Sequence, residues 1–272
     1  MIITNNNITE ATLSSYDPDA QAFFTAAGIT DTIQQIAVNS FVLSLKDQLI
    51  WNDLHAIYPF VGGNAISHKY NLKNPANTDA AYRLTFVNGP VHSVSGVRFD
   101  GSNQYADTHL VPDSVFGNYG DYSMGYYTMD LPPDTTGWNM AATDNPYAQS
   151  TGLIWADDLA IFDSWGEDSR IISTSDNSSM KGFIWVNYAT ASTPQQAFYV
   201  NDVAIVTGNN AATRTGGVLE SIYIGALNND GTATSFAKVN SQLAFIGANL
   251  APKASEFNLI VQTFMNSLNR NV

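Results

Sequence analysis

Four histidines, His55, His68, His92 and His109, are the residues here best suited to moving a proton or holding a metal. No two of them have the helical spacing of a paired metal site, so each reads as a structural or surface residue. The chain has no cysteine, no GxSxG nucleophile elbow and no GxxxxGK[ST] phosphate loop. Glycan hydrolysis on a strand needs carboxylates two residues apart, because period-2 geometry then aims both at one groove. The adjacent pair Glu167 and Asp168 would point to opposite faces of a strand. These absences predict a protein that is not an enzyme. The middle of the chain, residues 113–216, holds Trp138, Tyr147, Trp155, Trp165 and Trp185. Flat aromatic rings of this kind stack on sugars, which makes Trp138, Trp155, Trp165 and Trp185 the ligand-binding candidates. Core packing and subunit contact are the competing reading, and the preferred one.

The elements that must position these residues are mostly short strands. Residues 56–61, 83–87, 94–99, 105–109, 122–129, 153–155, 159–162, 170–173, 182–188, 197–200, 203–206, 218–224 and 242–246 alternate or run apolar between Gly, Pro, Asn and Asp turns. Asn201-Asp202 predicts a tight hairpin. Many short strands imply a two-sheet antiparallel sandwich or jelly roll. Helical signals frame this series. Asp17-Pro18 starts a helix with Ala20, Phe23, Phe24 and Ala27 on one face, and Gly28 ends it. Asp31 and Gln34 have capping-box spacing, and Ile33, Ile36, Ala37, Phe41, Leu45 and Leu49 recur at helical intervals after them. Pro252 starts a last helix with the stripe Phe257, Ile260, Val261, Phe264 and Leu268. The organisation expected is an N-terminal arm over 1–16, a helical hairpin over 17–54, and a sandwich with its C-terminal helix over 55–272.

Bulk composition narrows the partners. The formal net charge is −13, from 24 acidic and 11 basic residues. Duplex DNA binding needs clustered Lys and Arg, so nucleic acid is excluded. Hydrophobic residues are 44% and charged residues 13% of the chain, well below the ~25% charged of ordinary domains. A surface of Asn, Thr and Ser favours protein contacts that bury no charge. Nothing reaches the ~18 consecutive apolar residues of a membrane span, so no membrane insertion is expected. The polar start MIITNNNITEATLSS has no basic, apolar pattern of a secretory signal.

The end of the chain carries YIGALNNDG, LAFIGANL and QTFMNSLNRNV in that order. The N-terminal third carries DPDAQAFFTAAGI, LKDQLIW, AIYPFVGG, SHKYNLKNP, AAYRLTF and GVRFDGSNQYADT. In order and spacing these stretches resemble a family of bacteriophage virion structural proteins with concanavalin A-like or laminin-G-like domains. The resemblance implies a mainly β, concanavalin A-like antiparallel β-sandwich with an N-terminal helical hairpin and a C-terminal helix. It implies that His68 and His92 hold loops. Laminin-G-like domains hold calcium at the sandwich rim, which makes Asp157, Asp158 and Asp230 the weak metal candidates, with Asp163, Asn228 and Asn229 beside them. Plain turn chemistry is the alternative for these residues.

The functional expectation is a structural component of a phage particle, assembled in the bacterial host cytoplasm as a head decoration or a tail- or fibre-associated subunit. Its partners would be other virion proteins and further copies of itself. The alternative is a carbohydrate-binding adhesin that recognises a host-surface glycan; third is a glycan hydrolase or lyase on the same fold.

Overall fold

The computed structural model describes residues 16–117, 120–131, 137–144, 149–156, 159–174, 181–210 and 216–272. The arm expected over 1–16 lies outside the described residues, apart from Tyr16. Helices α1 (Pro18–Ala27) and α2 (Thr32–Asp47) form the hairpin. The Asp17 carboxylate accepts the Asp19 N–H at 3.0 Å, and Gly28 at φ 66° ends α1 in the left-handed conformation. Asp31 accepts the Gln34 N–H at 2.9 Å, but the box is not reciprocal. The Gln34 side chain accepts the Gly62 N–H at 2.7 Å instead, tying α2 to the loop at Gly62.

Strand β1 (Leu54–Tyr58) follows, then the short helix α3 (Ala65–His68). Next come β2 (Thr85–Val87), β3 (Val91–Ser93), β4 (Gly96–Arg98), β5 (Tyr105–Asp107), α4 (Pro112–Phe116), β6 (Tyr122–Thr128), β7 (Gly137–Thr143) and β8 (Ser150–Ala156). The series continues through β9 (Leu159–Ser164), β10 (Ile171–Ile172), β11 (Gly182–Tyr188), β12 (Gln196–Val200) and β13 (Val203–Gly208). It closes with β14 (Tyr223–Ile224), β15 (Leu227–Asn229), β16 (Thr232–Thr234), β17 (Asn240–Ser241), β18 (Leu243–Gly247) and helix α5 (Ala254–Ser267). Strand β11 matches its predicted span. Strand β7 was not predicted, because GWNMAAT is poor in the β-branched residues that mark a strand.

One sheet has six strands in the order β1-β18-β6-β11-β12-β13. A nine-stranded sheet runs β10-β9-β8-β7-β14-β5-β2, with β15 and β16 beside β7. Strands β17, β4 and β3 make a small third sheet. The pairings between these strands are antiparallel except β15 with β7, and the isolated Trp138–Phe236 bridge is also parallel. The Asn201-Asp202 hairpin forms as expected, with Val200 opposite Val203 and Asn201 at φ 59°.

Alternation along the strands builds two cores. Tyr58, Met124, Ile184, Val186, Phe198 and Ile246 of the six-stranded sheet meet Ala106, Met140, Leu153, Phe162 and Ile224 of the larger sheet. Their neighbours Ile57, Tyr127, Phe183, Trp185 and Phe245 point the other way, into α1, α2 and α5. The molecule is therefore three layers: helices, the six-stranded sheet, and the nine-stranded sheet. In the helix layer Phe264 is 2% exposed and stacks on Phe41 of α2 at 4.4 Å. Pro252 lies in a 3₁₀ turn, Ala251–Lys253, and α5 begins at Ala254. Past α5 the chain is pinned to the sandwich. The buried Arg270 guanidinium donates to the carbonyls of Pro59, Phe60, Val94 and Gln242, and burial lowers its pKa to about 10. The Val272 N–H donates to the Tyr127 hydroxyl at 3.1 Å.

Candidate functional site

The outer face of the nine-stranded sheet displays a row of aromatic rings. Strands β7, β14 and β5 are neighbours, with Tyr223 opposite both Asp107 and Ala141. Ala106, Met140, Ala142 and Ile224 point into the inter-sheet core, so Tyr105, Asp107, Ala141 and Tyr223 face outward. The rings of Tyr105 and Tyr223 stack at 4.5 Å, and Phe236 lies 6.3 Å from Tyr105. Trp138 forms a backbone bridge with Phe236. Its ring lies across Gly152, where a Cβ would come within 2.5 Å of it. Tyr105, Trp138 and Phe236 are half-buried and Tyr223 is buried. Three aromatic side chains thus keep part of their surface on one side of one sheet.

A polar cleft of about 610 Å³ opens at the edge of this row, lined by Asp79, Tyr82, His109, Val111, Leu219, Glu220 and Ser221. Asp107 is hydrogen-bonded to two of these lining residues. Its carboxylate accepts the His109 N–H and the Ser221 hydroxyl, each at 2.7 Å. The Thr85 hydroxyl lies 2.8 Å from His109 Nε2, and Asp79 pairs with Arg83 at 2.5 Å. The walls are fixed from behind. The Asp144 carboxylate accepts the Leu219 N–H at 3.0 Å, and the Thr108 hydroxyl donates to the Ile222 carbonyl at 2.7 Å. Burial, with the Asp107 charge second, pushes the Tyr223 phenol far above its ordinary range, so it remains a neutral ring. Carboxylates that accept from hydroxyls, beside ring faces that take C–H surface, are the two contacts a pyranose offers.

The sequence candidates separate on the structure. Trp138 belongs to the outward row. The side chain of Trp155 lies outside the described residues, as do Tyr147, Asp157 and Asp158. Trp165 and Trp185 are 0% exposed and present no surface to a ligand. Trp185 stacks on Tyr199 at 4.1 Å and donates its indole N–H to the Asn201 carbonyl, because β11 is covered by helices on that face. Trp165 packs edge-on against Tyr122 in the inter-sheet core. Asp230 sits in a β15–β16 turn at φ 51°, where Asn228 accepts the Gly231 N–H at 3.0 Å. Asp163 is buried and forked by Arg170 at 2.6 and 2.8 Å. Glu167 and Asp168 lie in a 3₁₀ turn rather than on a strand. Among the described residues, no group of three His, Asp or Glu side chains could hold a metal.

Sequence reasoning passed over Tyr105, Asp107, Glu220 and Tyr223. A signal was present in QYADTH: a two-residue step puts Tyr105 and Asp107 on one face of a strand.

His68 of α3 meets His92 of β3 and the loop at Gly63. The Gly63 N–H donates to His68 Nε2 at 3.2 Å, so the proton of the neutral ring sits on Nδ1, 3.0 Å from His92 Nδ1. Burial, then the neighbouring His92 and Arg270, lowers the His68 pKa to about 3. Burial lowers His92 as well.

No protein-family model matches the chain, and no curated protein does. Solved structures do. A Trypanosoma rangeli sialidase in complex with 2,3-difluorosialic acid aligns over 84% of this chain and 39% of its own, at 13% identity and TM-score 0.53. A mutant of that sialidase with trans-sialidase activity aligns over 85% of this chain and 39% of its own, at 16% identity and TM-score 0.50. The binding domain of Paraclostridial Mosquitocidal Protein 1 aligns over 79% of this chain and 53% of its own, at 13% identity and TM-score 0.49. This chain spans only 39% of the length of the sialidases it matches. Identities this low speak to the fold alone: a concanavalin A-like antiparallel β-sandwich with helices at both ends of the chain.

Proposed function

We propose that this chain is a non-catalytic carbohydrate-recognition module whose binding face is the outer side of the nine-stranded sheet. The observation that carries this reading is the row Trp138, Phe236, Tyr105 and Tyr223 running to a carboxylate-lined cleft. The fold shared with sialidase structures supports it. The ligand is a neutral or amino sugar. Asp79, Asp107 and Glu220 repel an acidic one, and the nearby Arg83 is already paired with Asp79. Immobilised neutral, amino and sialylated glycans distinguish the classes. Binding confined to sialylated glycans would refute the ligand assignment, and binding to none would refute the module. Incubation with the same glycans should release no product.

The place of this module is a phage particle, where it would read a glycan on the bacterial surface. That reading is supported by the ordered stretches from DPDAQAFFTAAGI to QTFMNSLNRNV, and by large aliphatic side chains left exposed on α2 and α5, away from the sugar face. Reconstruction of a particle carrying the chain should show its helix layer toward neighbouring subunits and its nine-stranded sheet toward solvent. The reverse orientation would contradict the reading.

A further inference from the structure

Trp138 and the polar cleft lie at two ends of one path over the outer face of the nine-stranded sheet. Tyr223 of β14 stands opposite both Ala141 of β7 and Asp107 of β5, so Ala141 and Asp107 are level, and Met140 is level with Ala106. Trp138 pairs with Ile154 and Met140 with Leu153, consecutive residues of β8, so Asn139 is an extra residue in β7. A bulge of this kind re-aims a side chain. It turns Trp138 outward, although Met140 two residues on points into the core, and it sets Trp138 level with Tyr105.

Phe236 fills the space between these two rings. Its backbone bridges to Trp138, its neighbour Ala237 enters the core, and its ring lies 6.3 Å from that of Tyr105. Asp107 follows Tyr105 by two residues on the same face and accepts hydrogen bonds from His109 and Ser221 of the cleft. Two inter-strand spacings and two residues of β5 separate the backbones of Trp138 and Asp107 by roughly 12 Å. The cleft continues past Asp107. One pyranose, built of bonds of about 1.5 Å, cannot touch both ends of this path. The two ends also take different things from a sugar. Ring faces accept C–H surface whatever the hydroxyl pattern, whereas the carboxylates and hydroxyls of the cleft pair with hydroxyls at set positions.

We propose that the ligand is a linear chain of at least three neutral or amino sugars. One sugar lies on Trp138, one across Phe236 and Tyr105, and one in the cleft, where its hydroxyls are read. This inference rests on the carbohydrate-recognition reading and adds to it the length and lie of the ligand.

The probes are β-linked chains of glucose, mannose and N-acetylglucosamine, from the monosaccharide to the hexasaccharide, titrated calorimetrically into the full chain. In the series that binds, the trisaccharide should bind about tenfold tighter than the monosaccharide or more, as the ring contacts are added. A monosaccharide that binds as tightly as the hexasaccharide would overturn the inference and leave the recognition module standing. Binding to no member of any length would remove both. Two variants locate the gain. Trp138→Ala should cut the ratio of trisaccharide to monosaccharide affinity several-fold, while Ser221→Ala should weaken every length alike and keep the ratio. An undiminished ratio in Trp138→Ala would take the chain off this path. Should that variant fail to fold, the length series on the parent decides alone.

Discussion

Trp185 and Trp138 both sit on central strands of a sheet, and they meet opposite fates. Trp185 is 0% exposed, pressed between Tyr199 and the rings of Phe183, Phe245 and Phe257. Trp138 is half-buried, resting on Gly152 with part of its ring uncovered. The cause lies in the layers. The six-stranded sheet is covered on both faces, so alternate residues of β11 enter one core or the other. The long helices α1, α2 and α5 pack with residues of that sheet. Trp138, Tyr105 and Phe236, on the outer side of the nine-stranded sheet, are half-covered by their own sheet and keep the rest of their surface open. Position within the layers, not residue type, separates a buried ring from a partly exposed one.

Stability measurements can break this distinction. Phe264→Ala removes a ring packed on Phe41 and should cost roughly 3–5 kcal/mol in denaturant unfolding, from lost transfer energy plus a cavity. Trp138→Ala should cost about 1 kcal/mol, because its ring has solvent on one side. Equal losses would erase the contrast between the two faces.

The buried His68 makes a second test, through pH. Its folded pKa of about 3 lies below the ordinary 6.5, so the unfolded chain binds the extra proton between these values. Its contribution is fully present above about pH 6.5. As pH falls below that, stability should drop by about 1.4 kcal/mol per pH unit from this group. His55 and His92, both lowered by burial, act in the same direction. His68→Gln should flatten the profile between pH 6.5 and 4.5; an unchanged slope would mean that the ring is protonated in the fold. Smaller again is the helix cap. Asp31→Ala should cost about 1 kcal/mol through loss of the bond to the Gln34 N–H, and should leave sugar binding untouched.

The sandwich was legible wherever local chemistry dictates structure. Asp17, Gly28 and Asp31 mark helix ends by their own hydrogen bonds and dihedral freedom, and Asn201-Asp202 turns for the same reason. The FIWV run of β11 reads as strand because it is apolar on both faces. Strand β7 was hidden because GWNMAAT is held in place by β8, β14 and β15 on either side, not by its own propensity. The candidate site was hidden for a similar reason. Tyr105, Tyr223 and Phe236 are separated by more than a hundred residues of sequence at the widest and meet only through strand order. Composition named the tryptophans, but it could not separate Trp138 from Trp165 and Trp185, since that depends on which face a layer covers.

The most direct test is calorimetric titration of the tightest-binding neutral or amino glycan into the parent chain and into Trp138→Ala and Tyr105→Ala. The outer-face reading predicts about tenfold weaker binding or more for each variant, equivalent to the roughly 1.4 kcal/mol of a lost aromatic contact, with folding retained. Undiminished affinity in both folded variants would contradict it and move the binding site off the nine-stranded sheet.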